Sequence, residues 1–248
     1  MAGQDLRVWT RCFYRAPAAE TRLVAFPHAG GSASAYRPLS GALSPTVEVH
    51  TVQYPGRQDR LGEPVIDDLH VLSERLVDIV AELPKPFALF GHSMGAIVAF
   101  EVARRLEARG LVPAALFLSA RRGPDIHKEQ AHHLADDATF LAEVSRLGGT
   151  DPTIFDDPDI RALALPSLRG DYKAVETYRY RPGPDVTCPI VALAGNADPV
   201  LDVPDVENWA EHTTGSFEKE IFEGGHFFLD DNRDAVVARI LGKLTVSP

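Results

Sequence analysis

The pentapeptide GHSMG, residues 91–95, sets one serine between two glycines in the G-x-S-x-G spacing. A serine hydroxyl is a poor nucleophile until a base takes its proton, and the base needs an acid to hold its tautomer and stabilise the imidazolium. Both partners occur further along the chain in the order Ser, Asp, His: Asp198 in ALAGNADPV and His226 in FEGGHFFLDD. That order suits acyl transfer through a covalent intermediate on Ser93. Each residue also has an ordinary reading. Gly-bracketed serines are common in turns, an Asp before Pro is usually a turn residue, and a His after Gly-Gly is often only a loop residue. Asp202 and Asp230 are the less favoured alternative acids.

The anion of an acyl-transfer intermediate needs donors aimed where charge develops. The backbone N–H of Met94, just after the serine, is one. The second is expected from the loop after an early strand, where AFPHAGGSASAY offers Ala29 N–H and where Gly30 and Gly31 allow close backbone approach. Tyr36, Met94, Phe227 and Phe228 stand beside these motifs as candidates to line an acyl cleft. A dinucleotide site is disfavoured, since G-x-G-x-x-G is absent.

A nucleophile at such a turn requires a strand feeding in and a helix leading out. FALFG (87–91) is a short apolar run, and AIVAFEVARRLEARG (96–110) repeats small or apolar residues at Ala99, Phe100, Ala103 and Leu106. The same alternation recurs along the chain. Strands are predicted at 22–26, 47–53, 87–91, 114–120, 189–195 and 217–223, and helices at 71–83, 96–110, 203–215 and 233–244. Short apolar strands alternating with amphipathic helices predict an α/β fold, a mostly parallel central sheet with helices on both faces. Asp198 and His226 then fall just past late strands, where sites are built.

Residues about 121–185 break the rhythm. ADDATFLAEVSRLGG predicts a helix with Phe140, Leu141, Val144 and Leu147 on one face, ending at Gly148–Gly149. A further helical stretch starts at Asp156 or Asp157 with Pro158 and is expected to be interrupted at Pro166 and Gly170. This is expected to be a helical lid inserted in one domain spanning residues 1–248.

The chain's 25 basic and 35 acidic residues give a net charge of −10, which disfavours nucleic acid as a partner. Its start lacks an apolar leader, no run approaches the ~18 apolar residues of a membrane span, and Cys12 and Cys188 are far apart, so a cytoplasmic protein with free thiols is expected. Neither cysteine has an adjacent His. His127, His132 and His133 lack metal-ligand spacing and read as a solvated loop. His50 falls within a strand and His92 within the serine turn. No metal or other cofactor is required.

Together, FPHAGGSASAY, VQYPGRQDR, LFGHSMGAIVAFEVARRL, DYKAVETYRYRPG, GNADPV and EGGHFFL resemble the type II thioesterases that accompany modular polyketide and nonribosomal peptide synthases, within the α/β-hydrolase superfamily. The resemblance covers about residues 20–245. It implies an α/β-hydrolase fold and hydrolysis of acyl thioesters from the phosphopantetheine arm of acyl or peptidyl carrier proteins, releasing stalled or misprimed groups. By motif it carries over Ser93, Asp198 and His226 as the triad, and Ala29 with Met94 as the oxyanion pair. The carrier proteins it implies are acidic, as is this chain, so docking is expected to use local basic residues, with Arg57, Arg60, Arg121 and Arg122 nearest the site loops. Two other functions use the same fold: a carboxylesterase or lipase acting on oxygen esters, and a binding module without chemistry. A chain-terminating acyltransferase or cyclase is a weaker third.

Overall fold

The computed structural model describes residues 2–148 and 152–245. The apolar runs become β2 (Thr21–Phe26), β3 (Val47–Val52), β4 (Phe87–His92), β5 (Leu116–Ser119), β6 (Ile190–Gly195) and β7 (Phe217–Phe222), all paired in parallel. A two-residue β1 (Thr10–Arg11) adds an antiparallel edge against β3, giving a seven-stranded sheet in the order β1-β3-β2-β4-β5-β6-β7. Every residue of β4, β5 and β6 is buried, as expected where helices cover both faces.

The period-2 alternation of the strands builds two cores. Val24 and Phe26 of β2 enter one, with α3 (Leu69–Ala81) and α4 (Met94–Glu107) packed over them. Leu23 and Ala25 enter the other, covered by α2 (Arg37–Leu43) and α9 (Arg233–Thr245). Asp68 starts α3 by accepting from the N–H groups of His70 and Val71 (2.8 and 3.0 Å).

Between β5 and β6 lie α5 (Asp137–Arg146) and α6 (Pro158–Thr177). Phe140 of α5 packs with Phe155 and Leu168 in a third, smaller cluster. Gly149 lies outside the described residues; α5 ends at Arg146, followed by Gly148 at φ +83°. The expected interruption of α6 does not occur. Proline at position 166 leaves the carbonyl of residue 162 without its helical donor and crowds it, but burial of Leu168, Asp171 and Ala174 further along carries the helix onward. Gly170 marks a close approach instead of a break, because a Cβ there would stand 2.6 Å from Val65 Cγ1.

The predicted helix 203–215 divides into α7 (Val203–Glu207) and a 3₁₀ turn (Asn208–His212), where buried Trp209 donates from Nε1 to Arg121 O (2.8 Å). The helix α1 (Ala2–Trp9), α2 and β1 were not legible: α2 contains both Pro38 and Gly41, and two residues carry no strand pattern. Short α8 (Phe228–Asp231) precedes α9. No described helix is long and apolar enough to cross a membrane.

Candidate active site

Ser93 joins β4 to α4 with φ +55° and ψ −115°, a backbone state that non-glycine residues rarely hold. The flanking glycines make the turn geometrically possible. A Cβ on Gly91 would stand 2.0 Å from Gly95 O, and one on Gly95 would stand 1.9 Å from Phe26 O. Ser93 N–H donates to Ser119 O (2.8 Å), pinning the turn to β5.

The loops after β6 and β7 bring Asp198 and His226 to this serine. Ser93 Oγ lies 2.9 Å from His226 Nε2, and His226 Nδ1 lies 2.7 Å from Asp198 Oδ2. With Asp198 ionised, Nδ1 carries the proton and donates to the carboxylate, leaving Nε2 to accept from the serine hydroxyl. Asp198 Oδ1 accepts from Val200 N–H (3.0 Å), which fixes the carboxylate's orientation. The Asp198 side chain is fully buried and that of His226 nearly so. Asp202 does not join them; it is 73% exposed and pairs with Lys128. Asp230 is exposed.

Met94 is the first residue of α4, so its N–H has no acceptor within the helix. Its side chain lies in the first core. Ala29 borders the same cavity as Ser93, on the loop after β2. The neighbouring N–H groups on that loop are engaged: Gly30 donates to Asp171 Oδ2 (2.7 Å) and Gly31 to His28 O (2.9 Å). Asp171 projects from α6 and also receives a bidentate pair from Arg57 (2.5 and 2.8 Å), while Arg57 donates to Gly31 O (3.1 Å). Burial opposes the Arg57 charge, but Asp171 outweighs it and holds the guanidinium pKa above its ordinary value. A buried ion pair thus ties α6 to the loop carrying Ala29. Sequence reasoning missed this role of Asp171; YPGR and GDYKAVETY supply both residues but do not show that they meet.

Two imidazoles beside His226 stay neutral. Burial, then the neighbouring His226 and Arg57, push His28 from 6.5 down to about 4. Burial, then His226 and His28, hold His92 well below the ordinary range. As pH falls through 6.5 the unfolded chain protonates position 28, whereas the folded chain does so only near 4. The unfolded state therefore binds more protons in that window. This contribution to stability is complete above 6.5 and is lost at about 1.4 kcal/mol per pH unit on the way down. Urea midpoints at pH 7 and pH 5 are expected to differ less in His28→Gln than in the parent; an unchanged difference would remove His28 as a source.

The cavity has a volume of about 870 Å³. Ser93, His226 and Phe227 border it from the sheet side, and Val144, Leu163 and Leu168 border it from α5 and α6. Phe227 packs edge-on against His28 at 4.8 Å. Tyr36 and Phe228 do not line it, contrary to expectation. Tyr36 packs on Phe90 at 5.7 Å and donates its hydroxyl to Phe26 O (3.3 Å), while Phe228 stacks on Phe222 at 5.1 Å in the second core.

The expected basic docking patch is also absent at its four positions. Arg57, Arg60 and Arg122 are buried, and Arg121 faces the cavity. Arg60 pairs with Glu63 (2.5 Å) and lies 4.0 Å over the Trp9 ring; Arg122 donates to Val200 O (3.1 Å). Nearness in sequence to a site loop places no constraint on which way a long side chain turns.

His127, His132 and His133 belong to no grouping of potential metal ligands among the described residues. His133 Nδ1 pairs instead with Glu176, whose oxygens also accept from the N–H groups of His132 and His133 (3.0 and 3.1 Å). Cys12 does have a histidine neighbour in space: its sulfur and the side-chain ligand atoms of Glu48 and His50 lie within 4.8 Å of one another. Burial and then Glu48 raise its thiol pKa, so it is not an activated nucleophile. Cys188 is likewise a free thiol, raised by burial.

Comparison with known proteins places this geometry among relatives. Residues 21–244 match the family model described as Thioesterase domain. The chain is 45% identical over 246 residues to the thioesterase PikA5 of Streptomyces venezuelae, covering 98% of this chain and 88% of that protein. It is 46% identical over 233 residues to a probable cadicidin biosynthesis thioesterase of Streptomyces griseus, covering 94% of this chain but 64% of that longer protein. Among solved structures, the type II thioesterase BorB from the borrelidin biosynthetic cluster superposes with a TM-score of 0.90 at 46% identity, covering 96% of this chain and 98% of that one.

Proposed function

The chain belongs to the thioesterase family, and on that premise we propose that it hydrolyses acyl thioesters on the phosphopantetheine arm of acyl or peptidyl carrier proteins, clearing stalled or misprimed groups during polyketide or nonribosomal peptide assembly in the cytoplasm. The observation that carries this reading is the unbroken Ser93–His226–Asp198 chain opening into a cavity of about 870 Å³ to which α5 and α6 contribute apolar Val144, Leu163 and Leu168. The relatives' names support the thioester as the bond cleaved over an oxygen ester.

In this mechanism His226 Nε2 takes the Ser93 proton as Oγ attacks the thioester carbonyl. The resulting oxyanion is stabilised by the N–H groups of Met94 and Ala29. Collapse breaks the C–S bond, and His226 returns its proton to the departing thiolate. Water, deprotonated by the same imidazole, then attacks the acyl-enzyme and releases a carboxylic acid and Ser93. The Asp198 carboxylate holds His226 oriented throughout. Helices α5 and α6 act as a lid that limits solvent at the reacting carbonyl.

Mass spectrometry of carrier protein loaded with a panel of acyl groups tests the reaction class. The acylated mass is expected to give way to free phosphopantetheinyl carrier; loss of a simple ester's acyl group with the carrier thioesters intact would favour the esterase reading. Asp198→Asn is expected to lower kcat by about 10³–10⁴-fold, with Asp202→Asn near the parent. The opposite order would assign the acid to Asp202.

A further inference from the structure

Most charged groups bordering the cavity have a counter-charge at hand. Arg57 has Asp171, Glu143 has Arg146, Glu176 has His133 and His226 has Asp198. Arg121 forms no ion pair among the described residues, and its Nε is buried without an acceptor. Burial, followed by adjacent Arg122, lowers its pKa to about 9. A cation held in this way is costly until an anion joins it.

Arg121 also borders a side cavity of about 190 Å³, which shares Arg122 and Glu176 with the main one. Exposed Asp125, His127 and Arg179 border the side cavity, so it reaches the surface. Arg179 donates to the carbonyls of Glu176 and Tyr178 (3.0 and 2.9 Å) and has no carboxylate partner among the described residues. The acidic groups bordering the side cavity are engaged elsewhere: Asp125 pairs with His212 (3.0 Å), and Glu176 accepts from His132 and His133. His127 titrates below its ordinary value through desolvation and then the Arg179 charge, with Arg122 and Arg121 adding to it.

We propose that Arg121 and Arg179, with Arg122 beside them, form an anion-binding subsite for the charged oxygens of a bound thioester substrate, either the phosphodiester of the phosphopantetheine arm or the carboxylate of a carboxyacyl group. The inference rests on the thioesterase reading of Ser93. Planar guanidinium groups match the paired oxygens of both anions. The arm's phosphodiester fits the position best: it stays near the carrier at the surface while the uncharged acyl end faces Val144 of α5 and Leu163 and Leu168 of α6.

The test compares kcat/KM for butyryl-phosphopantetheine, butyryl-pantetheine and malonyl-pantetheine in the parent, in Arg121→Gln/Arg179→Gln and in Arg121→Lys. The parent is expected to favour the phosphorylated over the unphosphorylated butyryl substrate by about tenfold. That ratio should fall to within about twofold in the double variant and persist in part with lysine. A preference for malonyl over butyryl on pantetheine that disappears in the same variant identifies the carboxylate as the anion. Equal parent rates on charged and uncharged substrates, or ratios that survive in the double variant, would overturn the subsite. Should the double variant fail to fold, Arg179→Gln alone, at an exposed position, is read by the same ratio. A parent that cleaves none of the three substrates defeats the thioesterase reading instead, which separates the two failures.

Discussion

Ser93→Ala is expected to lower turnover on acyl-carrier thioesters by about 10⁴–10⁶-fold, with no acyl-enzyme mass detectable at any time. Among the described residues the hydroxyl bonds to His226 Nε2, and its loss leaves the His226–Asp198 pair in place. Alanine also meets the same backbone constraint at φ +55° as serine does. Stability is therefore expected to change by less than about 1 kcal/mol, read from the urea midpoint. His226→Ala should cost a similar factor, and Ser93→Ala/His226→Ala little more than either alone, because the groups act as one unit. Multiplicative losses in the double variant would show that His226 works on a different step, and turnover retained in Ser93→Ala would remove Ser93 as the nucleophile.

Asp171→Ala is expected to cost about 3–5 kcal/mol of stability, because it leaves the Arg57 guanidinium buried without its carboxylate. Both side chains are almost wholly enclosed, at 7% and 3% exposure, so water cannot replace the lost partner cheaply. Arg57→Met should cost a comparable amount through the stranded Asp171. The double change Arg57→Met/Asp171→Ala should cost much less than the sum, since no charge is left unpaired. Chemical denaturation of the four proteins gives the coupling directly; additive single effects would mean that the pair contributes no specific interaction. Because Asp171 also holds Gly30 N–H, folded Asp171→Ala at low temperature is expected to lose kcat by about 10–100-fold through a loosened Ala29 loop.

The fold was legible where burial alone dictates the pattern. Strands enclosed on both faces must be apolar throughout, so β4, β5 and β6 stand out as runs, and the small residues of α4 mark where it crosses the sheet. Asp198 and His226 stand out because late strands end just before them. Side-chain direction was much less legible. Phe227 and Phe228 are neighbours, yet one borders the cavity and the other stacks on Phe222, a division set by the backbone of one short turn. Arg57 was readable as a charge near a loop, but its partner lies 114 residues away, and no local pattern announces an ion pair at that separation. The continuity of α6 through Pro166 is of the same kind, since a local rule yields there to packing supplied by distant segments.

The two glycines around Ser93 are required by backbone carbonyls, Gly95 O and Phe26 O, and not by the serine they flank. The motif therefore records how closely a strand and a helix approach, and it would persist in a descendant that had exchanged Ser93 for alanine and abandoned catalysis. When genomes are surveyed for working enzymes of this kind, the glycines identify inherited architecture. The serine, read together with a distant aspartate and histidine, distinguishes an enzyme from a relic.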